Sequence, residues 1–571
     1  MRRIPAVVLA LISLAAAPAP TPTPAPTPPP SDPRVSVDTL FKDYDRTDTP
    51  GCALGIYRGG RILYAHGYGM ANLELSAAIT PQTVFDIGST SKQFTAFAIH
   101  LLARDGKLSL DDDIRKWVPE IPDYGKTVTI RHLLHHTGGL RDYIVLLELQ
   151  GVLVEDLTND DDVLQAMSTQ KAPNFAPGEE HLYSNTGYFL LSVIVKRASG
   201  KSLRDFAAER IFGPLEMRHT QFNDSHTRII PNRATGYSKG DDGKFGIDMS
   251  DWEQTGDGAV LTTVEDLQRW DENFYQPVVG DKALIDAMQQ TGVLNSGKKL
   301  AYASALYLTT YRGLDTVSHG GSWAGYRAQL LRFPKQHLSV ACLCNNGGTA
   351  NPSRLAYQVS EVYLGSLMKP SEAQESAPKT DAVRYGVSVQ ELKRLAGAYR
   401  NVESGEVLEL GVWANKLGGD RRGRKFTLEP TAPRRFRIEG LPGGKRTVVF
   451  GDGASGARPP MEMTIVDEDE EVEKETFEPV TLWKPSASEL AALAGTYSSK
   501  ELSTTWKLEV DGGELFIRHR GAPKKPLKPT VADAFIVDEL SLKFQRDSGR
   551  APTGFSLDAG RVRGILFTRV P

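Results

Sequence analysis

A nine-residue motif occurs twice near the C-terminus, and this repeat limits the architectures open to the last third of the chain. The pattern E-L-x-x-L-A-G-x-Y at 391–399 returns at 489–497. Each copy is followed by short alternating runs separated by Gly-rich turns, which is typical of antiparallel hairpins. Such runs lie at 407–412, 435–438, 506–510 and 514–518. Because a closed sheet has no exposed edges, the pattern predicts two small antiparallel β-barrel domains, at 387–484 and 485–571.

The rest of the chain is long enough for a larger domain. The 571 residues exceed what a single hydrophobic core normally organises. A stretch rich in Pro, Ser, Glu and Lys at 369–386 predicts a linker before the barrels. The segment 34–368, with mixed helical and strand patterns, is therefore predicted to be one large domain.

The N-terminus has the pattern of an export signal. Arg2 and Arg3 precede an apolar stretch at 4–17 and then small residues that offer an Ala-x-Ala cleavage site, so 1–17 is predicted to be a signal peptide. The stretch is shorter than the ~20 residues that cross a bilayer, and no transmembrane segment is expected in the mature chain. An uncleaved anchor is the alternative. The Pro-rich segment 18–33 predicts an extended linker. We expect the mature protein in the periplasm or outside the cell.

Charge and cysteine content exclude several classes of protein. The formal charge of −3 is too balanced for non-specific binding of nucleic acid, so no nucleic-acid partner is expected. Three cysteines provide neither a disulfide scaffold nor a four-thiolate zinc site. Cys342 and Cys344 lie two apart in a strand-like run, where they are predicted to be small buried side chains on one face.

The chemistry is predicted to lie in the large domain. Ser89-Thr-Ser-Lys92 precedes an apolar segment long enough for a buried helix. Residues three apart share a helix face, so the amine of Lys92 is predicted to lie beside the hydroxyl of Ser89. Burial would lower the pKa of the amine and let it activate the serine as a nucleophile. If Ser89 opens the helix, its N–H and the helix dipole face the carbonyl oxygen under attack.

The Ser-x-x-Lys spacing also occurs at two places that no apolar helical segment follows. Ser168-x-x-Lys171 and Ser296-x-x-Lys299 lie in polar, turn-like segments. Tyr183-Ser-Asn185 and His319-Gly-Gly321 follow Ser89 in order and are candidate partners, although Tyr399-Arg-Asn401 and His136-Thr-Gly138 fit the same patterns. The ordered set is more specific than any one match.

Five segments in this order resemble one family. The large domain is similar to the class C β-lactamase and penicillin-binding-protein-like serine hydrolases, which include esterases and D-amino-acid peptidases. The segments are FDIGSTSKQFTAFAI around Ser89, TIRHLLHHTGGLRDY at 129–143, FAPGEEHLYSNTGYFLLSVIV at 175–195, GDGAVLTTVEDLQRW at 256–270 and SHGGSWAGYRAQLLRFP at 318–334. Two barrels after such a domain resemble the three-domain layout of D-aminopeptidases, in which a loop from a barrel reaches the active site.

The resemblance implies a fold and a set of roles. The fold is α+β, an antiparallel sheet flanked by helices with an inserted helical lobe. Ser89 attacks the carbonyl, Lys92 takes its proton, and Tyr183 passes the proton to the leaving group. The resemblance leaves open which of Lys92 and Tyr183 is the principal base. The remaining positions are implied to bind substrate: Asn185 orients Lys92 and binds the acyl-side amide, His319 and Gly321 belong to an edge strand open to substrate, and Ser322 with Ser89 supplies the oxyanion hole.

One departure from the family bears on the substrate. The β-lactamases and peptidoglycan carboxypeptidases usually carry Lys-Thr-Gly where this chain has His319-Gly320-Gly321. Since histidine is mostly neutral near pH 7, carboxylate recognition and β-lactam hydrolysis are expected to be weaker. The His form is common in the esterases and D-aminopeptidases. The cationic stretch 418–424 is the candidate for a loop that gates the cleft, with an exposed hairpin turn as the alternative.

Other residues have a structural and a functional interpretation. His132, His135 and His136 have helical spacing, but the segment is a structural signature of the family, and neither a metal nor a cofactor is expected. Trp323 and Tyr326 could line the acyl pocket or pack on the sheet. Tyr143 could overhang the cleft.

The sequence thus predicts a secreted serine hydrolase that cleaves amide or ester bonds in small molecules or short peptides. A D-aminopeptidase-like peptidase or esterase is favoured. A β-lactamase or peptidoglycan DD-carboxypeptidase is one alternative, and a catalytically weak envelope-binding or sensor module is another.

Overall fold

The computed structural model describes residues 32–240, 242–370, 386–402, 405–421, 424–441, 445–452, 457–466, 472–519, 523–549 and 551–571. The predicted signal peptide lies outside these ranges, as does most of both predicted linkers. Within them, every helix is too short or too polar to span a membrane.

Most helices belong to the part of the chain before 370. The helices are α1 Pro33–Phe41, α2 Lys92–Arg104, α3 Ile130–Leu134, α4 Tyr143–Gln150, α5 Asp160–Ser168, α6 Asn185–Ser199, α7 Leu203–Ala207, α8 Val264–Glu272, α9 Lys282–Met288, α10 Pro352–Leu364, α11 Val389–Leu395 and α12 Ala487–Leu493. Short 3-10 or π turns occur at Gly88–Ser91, Ile114–Lys116, Ala208–Phe212 and Pro334–Gln336.

The strands divide between the large domain and the C-terminal third. Those of the large domain are β1 Cys52–Arg58, β2 Arg61–Tyr68, β3 Met70–Asn72, β4 Ala77–Ala78, β5 Phe85–Asp86, β6 Gln221–Phe222, β7 Tyr237–Lys239, β8 Phe245–Ile247, β9 Val260–Thr262, β10 Tyr307–Tyr311, β11 Leu314–Trp323, β12 Tyr326–Phe333 and β13 Leu338–Cys344. Those that follow are β14 Gly397–Asn401, β15 Val407–Trp413, β16 Lys416–Arg421, β17 Arg424–Ala432, β18 Arg435–Glu439, β19 Lys445–Phe450, β20 Met461–Val466, β21 Val472–Val480, β22 Gly495–Ser499, β23 Thr504–Asp511, β24 Glu514–Arg518, β25 Lys525–Pro529, β26 Ala534–Val537, β27 Leu540–Arg546, β28 Pro552–Ala559 and β29 Val562–Val570.

A six-stranded antiparallel sheet forms the centre of the large domain. Its order is β10-β11-β12-β13-β1-β2. Alternate residues of β1 enter different cores: Ala53 and Tyr57 face the core shared with the helical lobe, whereas Leu54 and Ile56 face the core beneath α1 and α10. Helices therefore cover both faces, and the predicted α+β fold is confirmed.

The C-terminal third forms two closed barrels of eight antiparallel strands, β14–β21 and β22–β29, as predicted. The repeated motif makes the same contact in both. The Tyr399 hydroxyl donates to the Leu395 carbonyl at 2.7 Å, and the Tyr497 hydroxyl donates to the Leu493 carbonyl at 2.8 Å. Each tyrosine thereby ties the helix that precedes the barrel to the first strand. The exact domain boundaries stay predictions.

The second barrel packs on the large domain. Its buried side chains join the same hydrophobic core as the helical lobe. Arg141 Nη1 donates to Glu501 Oε2 at 2.6 Å, and both side chains are almost wholly buried. Arg141 Nε also donates to the Arg563 carbonyl at 3.0 Å. A buried charge is costly unless it is paired, so this contact makes the docked arrangement specific.

Two of the three cysteines form a disulfide that the sequence analysis did not predict. Cys342 and Cys344 do lie on one face of β13, and Cys342 is a buried free thiol. Cys344, however, is bonded to Cys52, its cross-strand neighbour on β1. The prediction of small buried side chains on one face holds for both residues, but the disulfide was not predicted. The partner could not be assigned from the sequence because the pairing depends on the register of strands far apart in the chain.

Candidate active site

Ser89 and Lys92 lie at the start of the buried helix α2. The chain leaves β5, makes a 3-10 turn at Gly88–Ser91 and enters α2 at Lys92. Ser89 therefore sits in the turn before the α-helix rather than opening it. The spacing still brings the two side chains together, and Lys92 Nζ lies 3.0 Å from Ser89 Oγ.

Lys92 is wholly buried, and its amine makes three hydrogen bonds. Its Nζ donates to Asn185 Oδ1 at 2.8 Å and to the Asp257 carbonyl at 2.5 Å. Burial lowers the pKa of the amine, and the positive charge of Arg561 acts in the same direction, against the carboxylates of Asp257 and Asp142. Ser89, by contrast, is only part-buried. A buried base next to a reachable hydroxyl is the arrangement that serine activation needs.

Asn185 begins α6 and is held by a buried carboxylate. Its backbone N–H and its Nδ2 donate to Asp142 Oδ2 at 2.7 Å and 3.1 Å. The other Asp142 oxygen accepts from the Ile144 N–H and caps α4. Asp142 therefore fixes the amide so that its Oδ1 faces Lys92.

Tyr183 lies against Lys92, which is 5.0 Å from the centre of its ring. The hydroxyl oxygen is buried, and no described residue makes a hydrogen bond of normal geometry to it. Burial raises the pKa of Tyr183, while the neighbouring Ser89 hydroxyl and the charge of Arg561 oppose the rise. The hydroxyl thus lies close to the Ser-Lys pair, and the Ser89 hydroxyl is its neighbouring hydrogen-bonding group.

His319 belongs to a chain of hydrogen bonds through the base of the site. His136 Nδ1 accepts from the Ser184 N–H at 3.2 Å, so its Nε2 carries the proton and faces Tyr302 Oη at 3.1 Å. The Tyr302 hydroxyl then donates to His319 Nε2 at 3.1 Å, and His319 Nδ1 donates to the Gly320 carbonyl at 2.6 Å. Burial lowers the pKa of His319 to about 3, so the ring is neutral.

Two glycines let the strand of His319 approach the serine turn. A Cβ on Gly321 would lie 1.9 Å from the Ile87 carbonyl oxygen, and one on Gly88, whose φ is +47°, would lie 2.6 Å from the Ser322 nitrogen. Gly321 thus serves the contact with the serine turn, in addition to the open edge that the resemblance implied. That edge is local, because β10 pairs with β11 only as far as Ser318. The Ser322 nitrogen consequently lies close to Gly88, the residue before Ser89.

The site opens into a cavity of about 2940 Å³ where the large domain meets both barrels. The large domain contributes Ser89 and Trp323, the first barrel Trp413 and Arg421, and the second barrel Arg561. The cavity is large enough for a short peptide.

The other candidates have clear positions. The Ser168 hydroxyl donates to the Gln165 carbonyl at the end of α5, and Ser296 lies in an exposed turn, so neither is near Lys92. Tyr143 belongs to the lining of the cavity, where it is buried and its hydroxyl donates to Asp257 Oδ2 at 3.0 Å. Of the stretch 418–424, the structure describes 418–421, which belong to β16, and Arg424, which begins β17. Asp420, Arg421 and Arg424 line the cavity. The barrel segment that contacts Tyr183 is the hairpin β28–β29.

Trp323, at the end of β11, and Tyr326, at the start of β12, have different surroundings. Trp323 packs on Trp252 at the cavity wall, with ring centres 5.3 Å apart. Tyr326 is buried, and its hydroxyl donates to the Ala234 carbonyl. His132 caps the N-terminus of α3, where its Nδ1 accepts from the Thr129 N–H.

Four residues of the site were not singled out from the sequence: Asp142, Asp257, Tyr302 and Arg561. Asp142 and Asp257 lie inside segments that carried the family resemblance. Asp142 also stands directly before the apolar run of α4, which is the signal of a helix cap. Tyr302 and Arg561 had no such local signal.

Comparison with known proteins agrees with this geometry. A family model described as beta-lactamase matches residues 37–363, and the chain belongs to that family of serine hydrolases. It is 30% identical over 425 residues to penicillin-binding protein 4* of Bacillus subtilis, covering 72% of this chain and 92% of that protein. It is 26% identical over 540 residues to a D-aminopeptidase of Cereibacter sphaeroides, covering 91% and 96%.

The solved structures agree on the fold. The octameric penicillin-binding protein homologue from Pyrococcus abyssi superposes with a TM-score of 0.55 at 24% identity, covering 78% of this chain and 99% of that one. This superposition confirms the fold, and the family model together with penicillin-binding protein 4* confirms the predicted family.

Proposed function

We propose that the chain is an exported serine hydrolase that cleaves amide or ester bonds in small molecules or short peptides through an acyl-enzyme on Ser89. D-aminopeptidase-like or esterase activity is favoured. The observation that carries the proposal is the wholly buried amine of Lys92, 3.0 Å from the part-exposed hydroxyl of Ser89.

In the proposed mechanism, Ser89 Oγ attacks the substrate carbonyl and its proton moves to Lys92. The N–H groups of Ser89 and Ser322 stabilise the oxyanion. Tyr183 gives its hydroxyl proton to the leaving group, whose bond to the carbonyl carbon breaks, and takes the proton held by Lys92. Water then attacks the acyl-enzyme, giving the free acid and restoring the Ser89 hydroxyl.

Two observations favour D-aminopeptidase-like activity. The alignment with the D-aminopeptidase of Cereibacter sphaeroides extends over 91% of the chain, which includes both barrels. His319 is neutral, so the edge strand lacks the cation that the lysine of the β-lactamases provides. Export is supported by the Cys52–Cys344 disulfide, since such bonds persist mainly in oxidising compartments.

Penicillin binding is the second candidate. It is favoured by the 30% identity to penicillin-binding protein 4* of Bacillus subtilis. Both candidates use the same serine, so they differ in the substrate that the cavity accepts.

A substrate panel tests the proposal. The full chain is assayed on D- and L-aminoacyl p-nitroanilides, short-chain p-nitrophenyl esters and a chromogenic cephalosporin. We expect hydrolysis of an anilide or ester, abolished by Ser89→Ala and kept by the matched controls Ser168→Ala and Ser296→Ala. A preference for the cephalosporin would favour the second candidate. Activity that survives in Ser89→Ala, or no hydrolysis of any member, would refute the proposal.

A further inference from the structure

A tight turn of the second barrel lies beside the catalytic residues of the large domain. Gly560 and Arg561 connect β28 to β29, and Gly560 has a φ of +53°. The Arg561 carbonyl accepts from Asn174 Nδ2 at 2.9 Å, and the Arg563 N–H donates to Asn174 Oδ1 at 2.8 Å. The backbone of the turn is therefore fixed to the large domain.

The side chain of Arg561 reaches over the site. Its guanidinium carbon lies 4.9 Å from the centre of the Tyr183 ring. The side chain is 44% exposed and lines the same cavity as Ser89. A cation from another domain thus stands above the residue proposed to protonate the leaving group.

The hydrogen-bonding groups of this guanidinium are unused within the part of the chain that the structure describes. Its Nη1 lies 3.7 Å from Asp142 Oδ2, an ion pair without a hydrogen bond. That oxygen already accepts two hydrogen bonds from Asn185. Arg563, on the same hairpin, instead donates to Glu180 at 3.0 Å. Arg561 therefore retains the planar set of N–H donors that binds carboxylates in pairs.

A second observation points to a ligand at the same place. The Tyr183 hydroxyl under this guanidinium is buried and makes no hydrogen bond of normal geometry to a described residue, and its neighbouring polar group is the hydroxyl of Ser89, the proposed nucleophile. Buried polar atoms without a hydrogen bond are rare in folded proteins, and a place in the reaction is one explanation for them. Tyr183 and Arg561 both line the cavity that contains Ser89, so the leaving part of a substrate bound at Ser89 lies next to both.

We propose that Arg561 is a specificity-determining residue that binds a carboxylate on the leaving-group side of the scissile bond. The substrate class is then an acyl amino acid or short peptide with a free C-terminal carboxylate, or the corresponding ester. Tyr183 determines which side of the scissile bond the carboxylate lies on. The leaving atom must lie at the Tyr183 hydroxyl to receive its proton, so the groups attached to the leaving atom lie beneath Arg561. Since His319 is neutral, the cation comes from the barrel instead of the edge strand. This inference rests on the proposed function.

Two aryl esters of one acyl group test it. One has 3-hydroxybenzoate as the leaving group and the other 3-hydroxybenzamide, so they differ only in the charge of the leaving part. The kcat/KM of each is measured for the full chain, for Arg561→Gln, for Arg561→Lys and for the matched control Arg563→Gln.

We expect Arg561→Gln to lower kcat/KM for the benzoate ester by about 10- to 100-fold, the range of a charged hydrogen bond, mainly through KM. The benzamide ester should change less than about threefold, and Arg563→Gln should keep the preference of the unaltered chain. Arg561→Lys should keep part of the preference for the benzoate ester, since lysine supplies the charge without the two parallel hydrogen bonds of a guanidinium. An unchanged preference in Arg561→Gln would overturn the inference, as would an equal loss on both esters, which would indicate a structural role at Asp142. If the unaltered chain hydrolyses neither ester, the proposed function itself fails and this inference fails with it.

Discussion

The hydroxyl of Tyr302 lies 3.1 Å from Nε2 of His319 and donates to it. The same hydroxyl faces His136 Nε2, and His136 Nδ1 accepts from the N–H of Ser184, the residue before Asn185. The Tyr302 oxygen therefore connects the start of α6, through His136, to the strand of His319. His136, which in sequence was only a second match to His-x-Gly, is thus part of the support of the site. The two walls of the cleft are positioned relative to each other by neutral, buried polar groups.

Removing the Tyr302 hydroxyl tests this link. Tyr302→Phe leaves two buried ring nitrogens without a partner, at a cost of about 1–3 kcal/mol each. We expect a lower free energy of unfolding in urea and a reduced kcat. Tyr124→Phe is the control, because its half-buried hydroxyl makes no hydrogen bond to a described residue. Equal stability of both variants would argue against the network.

The buried amine of Lys92 predicts the pH dependence of activity. A base must be neutral, so kcat/KM should rise with pH as Lys92 loses its proton. Burial lowers its pKa, which places the midpoint well below the ordinary 10.5. The Asp257 carboxylate raises that pKa, so Asp257→Asn should move the rise to lower pH. A pH profile with its midpoint near 10.5, or a shift to higher pH in Asp257→Asn, would contradict this.

The buried pair Arg141–Glu501 predicts how the second barrel is held. Glu501→Ala leaves the guanidinium of Arg141 buried and unpaired, which costs about 3–5 kcal/mol. We expect faster proteolysis between the domains and a lower melting temperature. Glu514→Ala, at an exposed position of the same barrel, should behave like the unaltered chain. If both variants are equally stable, the pair does not hold the barrel.

The disulfide predicts a thiol count. Alkylation of the denatured, unreduced protein should modify only Cys342, and reduction should raise the count to three. Cys52→Ala together with Cys344→Ala should lower the free energy of unfolding by about 2–5 kcal/mol, since the bond closes a very long loop. Mass spectrometry checks the first result and urea denaturation the second. Three modified thiols without reductant would show that the bond does not form.

Local spacing accounts for the parts of the site that the sequence predicted. Ser89 and Lys92 are three residues apart beside a buried helix, so a single turn brings them together. The barrels were predictable for the same kind of reason, because the repeat and its alternating runs are local patterns. Once the family was identified, Tyr183, Asn185 and His319 followed as implied positions.

The remaining parts depend on contacts between distant segments. Arg561 reaches Tyr183 only because the second barrel docks on the large domain, and that docking rests on Arg141 and Glu501, 360 positions apart. The candidate gate at 418–424 was chosen for its charge and glycines, whereas the contact is made by a turn with one glycine and one arginine. Composition does not reveal which of sixteen barrel strands faces the cleft.

The most direct test of the account is the site of covalent modification. The full chain is treated with a fluorophosphonate, its intact mass is measured, and the modified peptide is identified. The account predicts one adduct per chain, on the peptide that contains Ser89, with no adduct in Ser89→Ala and an unchanged adduct in Ser168→Ala. An unmodified chain, or an adduct that persists in Ser89→Ala, would contradict it.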